Sequence, residues 1–425
     1  MDYQTAQHFA RWLDAEDPLR RFRDAFLLPF RADELPVLYF CGHSLGSQPK
    51  AARALIEQEL DDWARLGVEG HFKANSPWYS YHELFHDAGA RLVGAEPGEV
   101  VMMNSLTVNL HLMLATFYRP NPNRFQIVID APAFPSDLYA LQSVLKLHGI
   151  DPVAGLVQIQ PRAGEHCIRE EEVEAELEKH GDRVALLLFN GVNFVTGQWF
   201  DIPRLTQAAH RQGAIAGFDL AHAAGNVPLR LHDWDVDFAV WCNYKYINAG
   251  PGAVAGCFVH AKHGQNTALP RLAGWWGNDP TTRFEMHLQP QFVPREGADG
   301  WQVSNPPILA LAPLRASLAL FDEAGMAALR AKSELLTGYL EFLLDQWIPG
   351  KIEIITPREK QRRGCALSLV VPGDPKALHG QLERCGAVCD FRPPNVLRVA
   401  PIPLYNMFNE VWTFAQILAE AVGRP

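Results

Sequence analysis

No two cysteines in this sequence are spaced Cys-x-x-Cys, and the total of seven is odd. Both facts point away from a disulfide framework and from a thiolate zinc site, and the sequence shows no other metal ligand set. Long hydrophobic runs are also missing. The buried-looking stretch 184–189 (VALLLF) is six apolar residues long, a core strand's length, whereas a bilayer crossing needs about 20. The amino-terminal MDYQTAQHFARWLDAEDPLRRF lacks the apolar segment and small-residue cleavage site of a secretory signal. Nor is charge of one sign concentrated anywhere. The 38 basic and 48 acidic side chains, net −10, are scattered, so neither nucleic acid nor an anionic membrane is an expected partner. These absences predict a soluble protein of a reducing cytoplasm.

What is present is apolar content, 48 % against 20 % charged residues over 425 positions, enough for a large core and for about two to three domains. Short aliphatic runs at 100–103, 125–130, 184–190, 214–220, 236–245 and 256–260 alternate with longer helical patterns. Such a rhythm predicts an α/β fold with a mostly parallel, doubly wound sheet, apolar throughout because helices cover both faces. Ligands of such sheets sit beyond the carboxyl ends of the strands. Residues 310–346 read as a helix pair leading out of this unit, followed by strand-like KIEIITP, CALSLVV and NVLRVAP, a helix at DPKALHGQLERCG and a last helix near 408–421. The expected division is therefore a large domain over 51–309 and a smaller α+β domain made of 1–50 and 310–425, with a helix over 5–27, a strand at PVLYF and a turn at CGHSLG.

The chemistry concentrates in FDLAHAAG (218–225) and CNYKYINAGPG (242–252). Asp219 closes one strand and Lys245 ends or follows another, 26 residues on, about one helix plus one strand, so both reach one crevice. A cofactor that works as an electron sink needs a lysine for its aldehyde and an acid for its ring nitrogen, which is the demand of pyridoxal 5′-phosphate. Taken singly, an Asp at a strand end is commonly a helix cap and such a Lys a solvated surface group. His222 can lie beside the ring or the phosphate. In NSLTVNLHLML (104–114) a helix opens after a strand, and its free amides suit a phosphate, with Leu106 and Thr107 as contacts unless Thr107 is simply the cap. Phe134 in APAFPSDLYA offers an aromatic face for the ring, and Asn190 a polar contact.

These stretches resemble the kynureninase family, pyridoxal-phosphate enzymes of the aspartate-aminotransferase fold (fold type I). The resemblance is carried by GHSLGSQPK (42–50), NSLTVNLHLML, AFPSD (133–137), GVNFVTGQ (191–198), FDLAHAAGNVPL (218–229), CNYKYINAGPG, LAGWWG (272–277), QVSNPPIL (302–309), RRGCALSL (362–369) and NVLRVAPIPLYN (395–406). It implies hydrolytic Cβ–Cγ cleavage of kynurenines to anthranilates and alanine, in tryptophan catabolism and the kynurenine pathway toward NAD biosynthesis. Lys245 would hold the cofactor and move the α-proton, Asp219 would face the pyridine nitrogen, and Phe134 would stack. Leu106, Thr107, Asp137, His222 and Tyr244 would complete the cofactor site, Tyr244 being either a proton relay or only a phosphate ligand. Trp275 and Asn305 would lie at the interface of a homodimer whose active site is shared. Arg398 would grip the substrate α-carboxylate, the alternative being a surface arginine on a strand edge.

His71 and Asn305 resemble residues that suit 3-hydroxykynurenine, and Ser44 would join the substrate site. His43 departs from the asparagine expected beside Ser44, replacing it with a larger ring that can be charged. The nearest rival is a cysteine desulfurase or selenocysteine lyase, which needs a mobile nucleophilic cysteine. Cys365 and Cys389 are the candidates, yet both fall in or against strand-like segments, where inert buried thiols are expected. The other rival, a non-catalytic binding protein on the same fold, should have lost the lysine or the aspartate.

Overall fold

The computed structural model describes residues 2–31 and 36–423. Helix α1 (Gln7–Glu16) is shorter than the expected 5–27 because Pro18 forces Asp17 into an extended conformation. The chain continues as a 3-10 turn over Arg20–Ala25 and a two-residue strand. Helix α2 (Ala52–Leu66) then leads into the large unit.

Its sheet has seven strands: β1 (Val100–Met102), β2 (Gln126–Asp130), β3 (Leu156–Ile159), β4 (Val184–Asn190), β5 (Ile215–Asp219), β6 (Phe238–Trp241) and β7 (Gly256–Val259). Their order is β1-β7-β6-β5-β4-β2-β3, with β7 alone running antiparallel to its neighbours. The apolar runs predict six of these strands. The seventh, β3, is a half-exposed edge with Gln158 inside it, so its apolar run is too short to stand out. In the central β4, Leu187 and Phe189 enter one layer of core and Leu186 and Leu188 the other. Two-sided burial is why VALLLFN shows no polar alternation. Helices α3 (Leu106–Phe117) and α4 (Pro135–Leu147) follow β1 and β2, so their amino termini open at the carboxyl ends of those strands.

The helix pair is α5 (Ile308–Ala324) and α6 (Met326–Trp347), and the two serve different cores. Leu311, Leu314, Leu318 and Phe321 of α5 pack into the large unit, whereas Leu336, Leu340 and Leu343 of α6 pack into a second core with Phe9, Leu13 and Phe40. Leu329, near the start of α6, still packs into the large core, so the change of core falls between Leu329 and Leu336 within α6. The second core lies against an antiparallel sheet of β8 (Glu353–Ile354), β9 (Leu367–Val370), β10 (Asp390–Arg392) and β11 (Val396–Val399), ordered β8-β9-β11-β10. It is closed by helix α7 (Phe408–Ala421), and Leu38–Tyr39 pairs in parallel with Ala387–Val388. No helix among the described residues is long and apolar enough to cross a membrane.

The amino-terminal segment is pinned to α6 by an ion pair between Lys332 Nζ and Asp17 Oδ2 at 2.7 Å, both side chains almost fully buried. Removing one member leaves the other charged and desolvated, which costs about 3–5 kcal/mol. Lys332→Met is expected to lower unfolding stability by that order in a urea titration followed by circular dichroism. Adding Asp17→Asn should recover part of the loss, and a single variant as stable as the parent would refute this role.

Candidate active site

The parallel register sets the site. Asp219, the last residue of β5, pairs with Asn190 of β4 on one side and with Val240 of β6 on the other. Four residues past the end of β6, Lys245 lies in a turn beside the same crevice. One cleft is lined by Leu106, Thr107, Phe134, Ser136, Asp137, Asn190, Phe194, Asp219, Ala221, His222, Tyr244 and Lys245. Thr107, which local rules would make a helix cap, is not one here. The amino terminus of α3 receives no side-chain cap, and the Thr107 hydroxyl instead meets the Ser136 hydroxyl at 2.9 Å. Uncapped amides and two hydroxyls converge there as donors for an anion.

Lys245 Nζ is 3.4 Å from His222 Nε2, 5.9 Å from the Phe134 ring centre and 5.7 Å from that of Tyr244. Burial, then the charges of Lys245 and Arg398, push the His222 pKa well below its ordinary value, so the ring is neutral. Asp137 and Asp219 are both buried. Burial and the facing Asp219 carboxylate raise Asp137 well above the usual range, while Asp219, raised by burial, is restrained by Asp137 and Lys245. A proton on Asp137 and a charge on Asp219 is the arrangement these opposing effects favour, and Asp219 also accepts the Ala221 amide at 2.6 Å. Asp137 is held beside Asp219 by a side-chain hydrogen bond that a proton on Asp137 supplies. An aldehyde-bearing aromatic phosphate matches this donor set: amine, carboxylate, aromatic face and anion-binding helix end.

A second, narrow cavity adjoins the first. It is lined among others by His43, Asn193, Phe194, His222, Tyr246 and Arg398. Arg398 is not a strand-edge surface residue: β11 is interior to its sheet and the side chain is 2 % exposed. Its Nε donates to Asp390 Oδ2 at 2.6 Å, its Nη2 donates to the same oxygen, and its Nη1 donates to the Phe194 carbonyl at 2.6 Å. The His43 ring is buried, its Nε2 3.6 Å from Asp390 Oδ2. Burial holds its pKa down to about 4, so the charge that a histidine makes available is not present at neutral pH. The loop carrying His43 is fastened to the lysine turn: Gly46 N–H donates to the Tyr244 carbonyl at 2.8 Å, and a Cβ on Gly46 would lie 2.4 Å from the Lys245 carbonyl oxygen.

Other expected residues do not enter the cleft of their own chain. His71 lies edge-on to Trp78, Trp275 is partly exposed against Trp276, and Asn305 accepts from the Ser304 hydroxyl at the surface. Ser44 is exposed next to His43. Asn190 does line the cleft, but its amide nitrogen is turned to Asp130, which also receives Asn193. Ser136, Phe194, Asp130 and Asp390 are additions that sequence reasoning missed. The one with a signal is Asp390, which stands opposite Arg398 across a hairpin closed at Pro393–Pro394. Cys365 and Cys389 are buried and their thiols are raised by burial, Cys365 to about 12, which opposes a nucleophilic role.

Residues 329–418 match the family model described as the kynureninase C-terminal domain. A kynureninase of Myxococcus xanthus is 54 % identical over 416 residues, covering 98 % of this chain and 97 % of that protein. One of Koribacter versatilis is 53 % identical, covering 97 % of each. Among solved structures, the cysteine desulfurase CsdA of Escherichia coli superposes with a TM-score of 0.76 at 17 % identity over 95 % of this chain and 98 % of that one. A cystine C-S lyase complex superposes with a TM-score of 0.77 at 18 % identity over 91 % and 98 %. Likeness at that identity shows the fold alone, the aspartate-aminotransferase-like α/β architecture.

The state of His43 gives a pH test. Its folded pKa lies below the ordinary 6.5, so the unfolded chain takes up the proton first as pH falls. The stability this residue contributes is complete above about pH 6.5 and is lost as pH falls toward 4, amounting to about 2 kcal/mol by pH 5. His43→Asn should narrow the stability difference between pH 7 and pH 5 by that amount in urea titrations. Parallel pH dependence in both proteins would contradict a neutral buried imidazole.

Proposed function

The chain belongs to the kynureninase family, and on that premise we propose that it hydrolyses the Cβ–Cγ bond of L-kynurenine or 3-hydroxy-L-kynurenine, giving anthranilate or its 3-hydroxy form and L-alanine, in tryptophan catabolism. The observation that carries this is the single cleft where Lys245, Asp219, Asp137, Phe134, Thr107 and Tyr244 meet. When bound, pyridoxal 5′-phosphate supplies an aldehyde for the substrate amine and a conjugated ring that accepts the electron pair of the breaking bond.

The protein's own part divides by element. The open amides of α3, with Leu106 and Thr107 at its start and the Ser136 hydroxyl beside them, hold the phosphate. Phe134 covers a ring face, and Asp219, with the protonated Asp137 next to it, keeps the ring nitrogen protonated. Lys245 Nζ would hold the aldehyde and is the amine placed to take a proton from the substrate Cα. Neutral His222 accepts a hydrogen bond from that amine and directs it into the cleft. The Tyr244 hydroxyl has its pKa raised by burial and then by Cys242, so it keeps its proton at neutral pH. It is a donor to the phosphate and a relay for water addition at the γ-carbonyl. Arg398 would receive the α-carboxylate, with His43 lining that end and Ser44 next to it in the same loop at the surface.

Trp275, Asn305 and His71 stand apart from the cleft of their own chain, which supports a homodimer in which each chain lends them to its partner's substrate ring. The two cores support a large unit that extends through α5 and takes in Leu19, Phe22 and Phe26, and a smaller one built from most of α6 onward with α1 and Phe40. A cytoplasmic location belongs to the same reading.

Incubation of the purified protein with each kynurenine is expected to yield anthranilate fluorescence and alanine. Lys245→Ala should abolish both, along with the visible absorbance of the lysine-bound cofactor. Sulfide released from cysteine, with neither product formed, would overturn the assignment. For the shared site, mixing Lys245→Ala with Trp275→Ala subunits should restore activity that neither has alone. Mixed dimers that stay inactive would place Trp275 outside the partner's site.

A further inference from the structure

At the end of the large sheet opposite Lys245, three segments meet: the turn Pro97–Glu99 before β1, the loop 229–237 before β6, and the residues just after β7. They bring together Glu99, His232 and His260, one potential ligand atom from each lying within 4.8 Å of the others. We propose that these three side chains form a site for a zinc ion that clips the β1–β7 edge of the sheet, apart from the reaction centre.

The carboxylate is built for a fixed role. Glu99 is 1 % exposed, its Oε1 accepting the Ala261 amide at 2.7 Å and its Oε2 the Glu96 amide at 2.8 Å. Two amides thus hold its plane while lone pairs remain on both oxygens. His232 Nδ1 lies 2.9 Å from Oε1, and His260 Nδ1 lies 3.6 Å from it. Zinc bonds of about 2.0–2.1 Å in a tetrahedron put ligand atoms about 3.3 Å apart, between these two separations. All three ligand atoms lie within 4.8 Å of one another, so the side chains would close in on the ion as it binds.

The histidine chemistry agrees. His260 Nδ1 accepts the Lys262 amide at 3.2 Å, so this nitrogen carries a lone pair, and Nε2, bearing the hydrogen, is 3.6 Å from Asp235 Oδ1. On binding, zinc would take this lone pair over from the Lys262 amide, while the far N–H stays toward a carboxylate as in a metal-bound histidine. The two imidazoles are neighbours, centroids 4.9 Å apart and planes 19° from parallel, and the exposed His232 ring would turn to aim its in-plane lone pair at the ion. The neighbouring cation, Lys262 Nζ, is engaged by Asp235 and Asp237 at 2.6 and 2.9 Å. His232 is 38 % exposed, leaving an entry path and a fourth position for water. Imidazole and carboxylate suit zinc as they do iron, copper and nickel, and two histidines, a carboxylate and a water make up a four-coordinate zinc set. The simpler occupant is a proton on His232, which zinc would replace.

The chelator-treated holoenzyme, titrated with Zn2+ and measured by calorimetry and metal analysis after dialysis, is expected to bind one ion per chain, with a thermal midpoint that rises with Zn2+ concentration. His232→Gln and His260→Gln, which keep a hydrogen-bonding side chain near Glu99, should each weaken binding about tenfold or more, with cofactor absorbance and turnover unchanged. X-ray absorption of the zinc-loaded parent should show two imidazoles and an oxygen ligand, a measurement that needs no variant to fold. No stoichiometric binding by the parent, thiolate coordination, or binding undiminished in the double variant would each overturn the proposal.

Discussion

An uncompensated negative charge cannot be kept in a dry crevice, and the active end of the molecule is arranged around that constraint. Asp219 sits at the carboxyl end of a central parallel strand, where flanking strands and helices remove water on every side. Its charge is tolerable because a protonated Asp137 stands beside it, an amide points at it and the Lys245 amine is near. The parallel register carries the consequence outward: the residue ending β5 and the turn following β6 must open on one side of the sheet. Two helix amino termini, reached after β1 and β2, then face the same space.

The smaller unit contributes through two contacts that depend on one loop. Residues 42–46 carry His43 toward Arg398 and Asp390, and Gly46 against the carbonyl beside Lys245. An imidazole tolerates this place because it stays neutral; an extra cation against Arg398 would be repelled. The carboxylate end and the lysine end of the cleft are therefore held by one short stretch of backbone.

Much of this is visible in the residues alone, because local sequence and site coincide. Asp219 and Lys245 follow runs whose two-sided burial makes them uniformly apolar, and β4 is the clearest such run. Leu106, Thr107, Phe134, Asp137 and Tyr244 follow strands in the same way, and the structure gathers them. What failed to show was whatever depends on partners distant in sequence. The edge strand β3 carries a polar residue in its middle, and α5 is allotted to the large core by what it meets rather than by its own pattern. Pro18 cut a helix that periodicity extends. Glu99, His232 and His260 come from three separate stretches with no spacing rule to join them.

The pairing of Arg398 with Asp390 has one more consequence. On the proposed role of this arginine, a substrate does not meet a bare cation; it meets one that already has an anionic companion. Docking is then an exchange of hydrogen bonds, in which a substrate carboxylate takes over guanidinium donors while Asp390, fixed on β10, stays beside the guanidinium and keeps it in its plane between turnovers. An amine without a carboxylate has nothing to offer in that exchange, so the resident acid screens ligands before any chemistry begins.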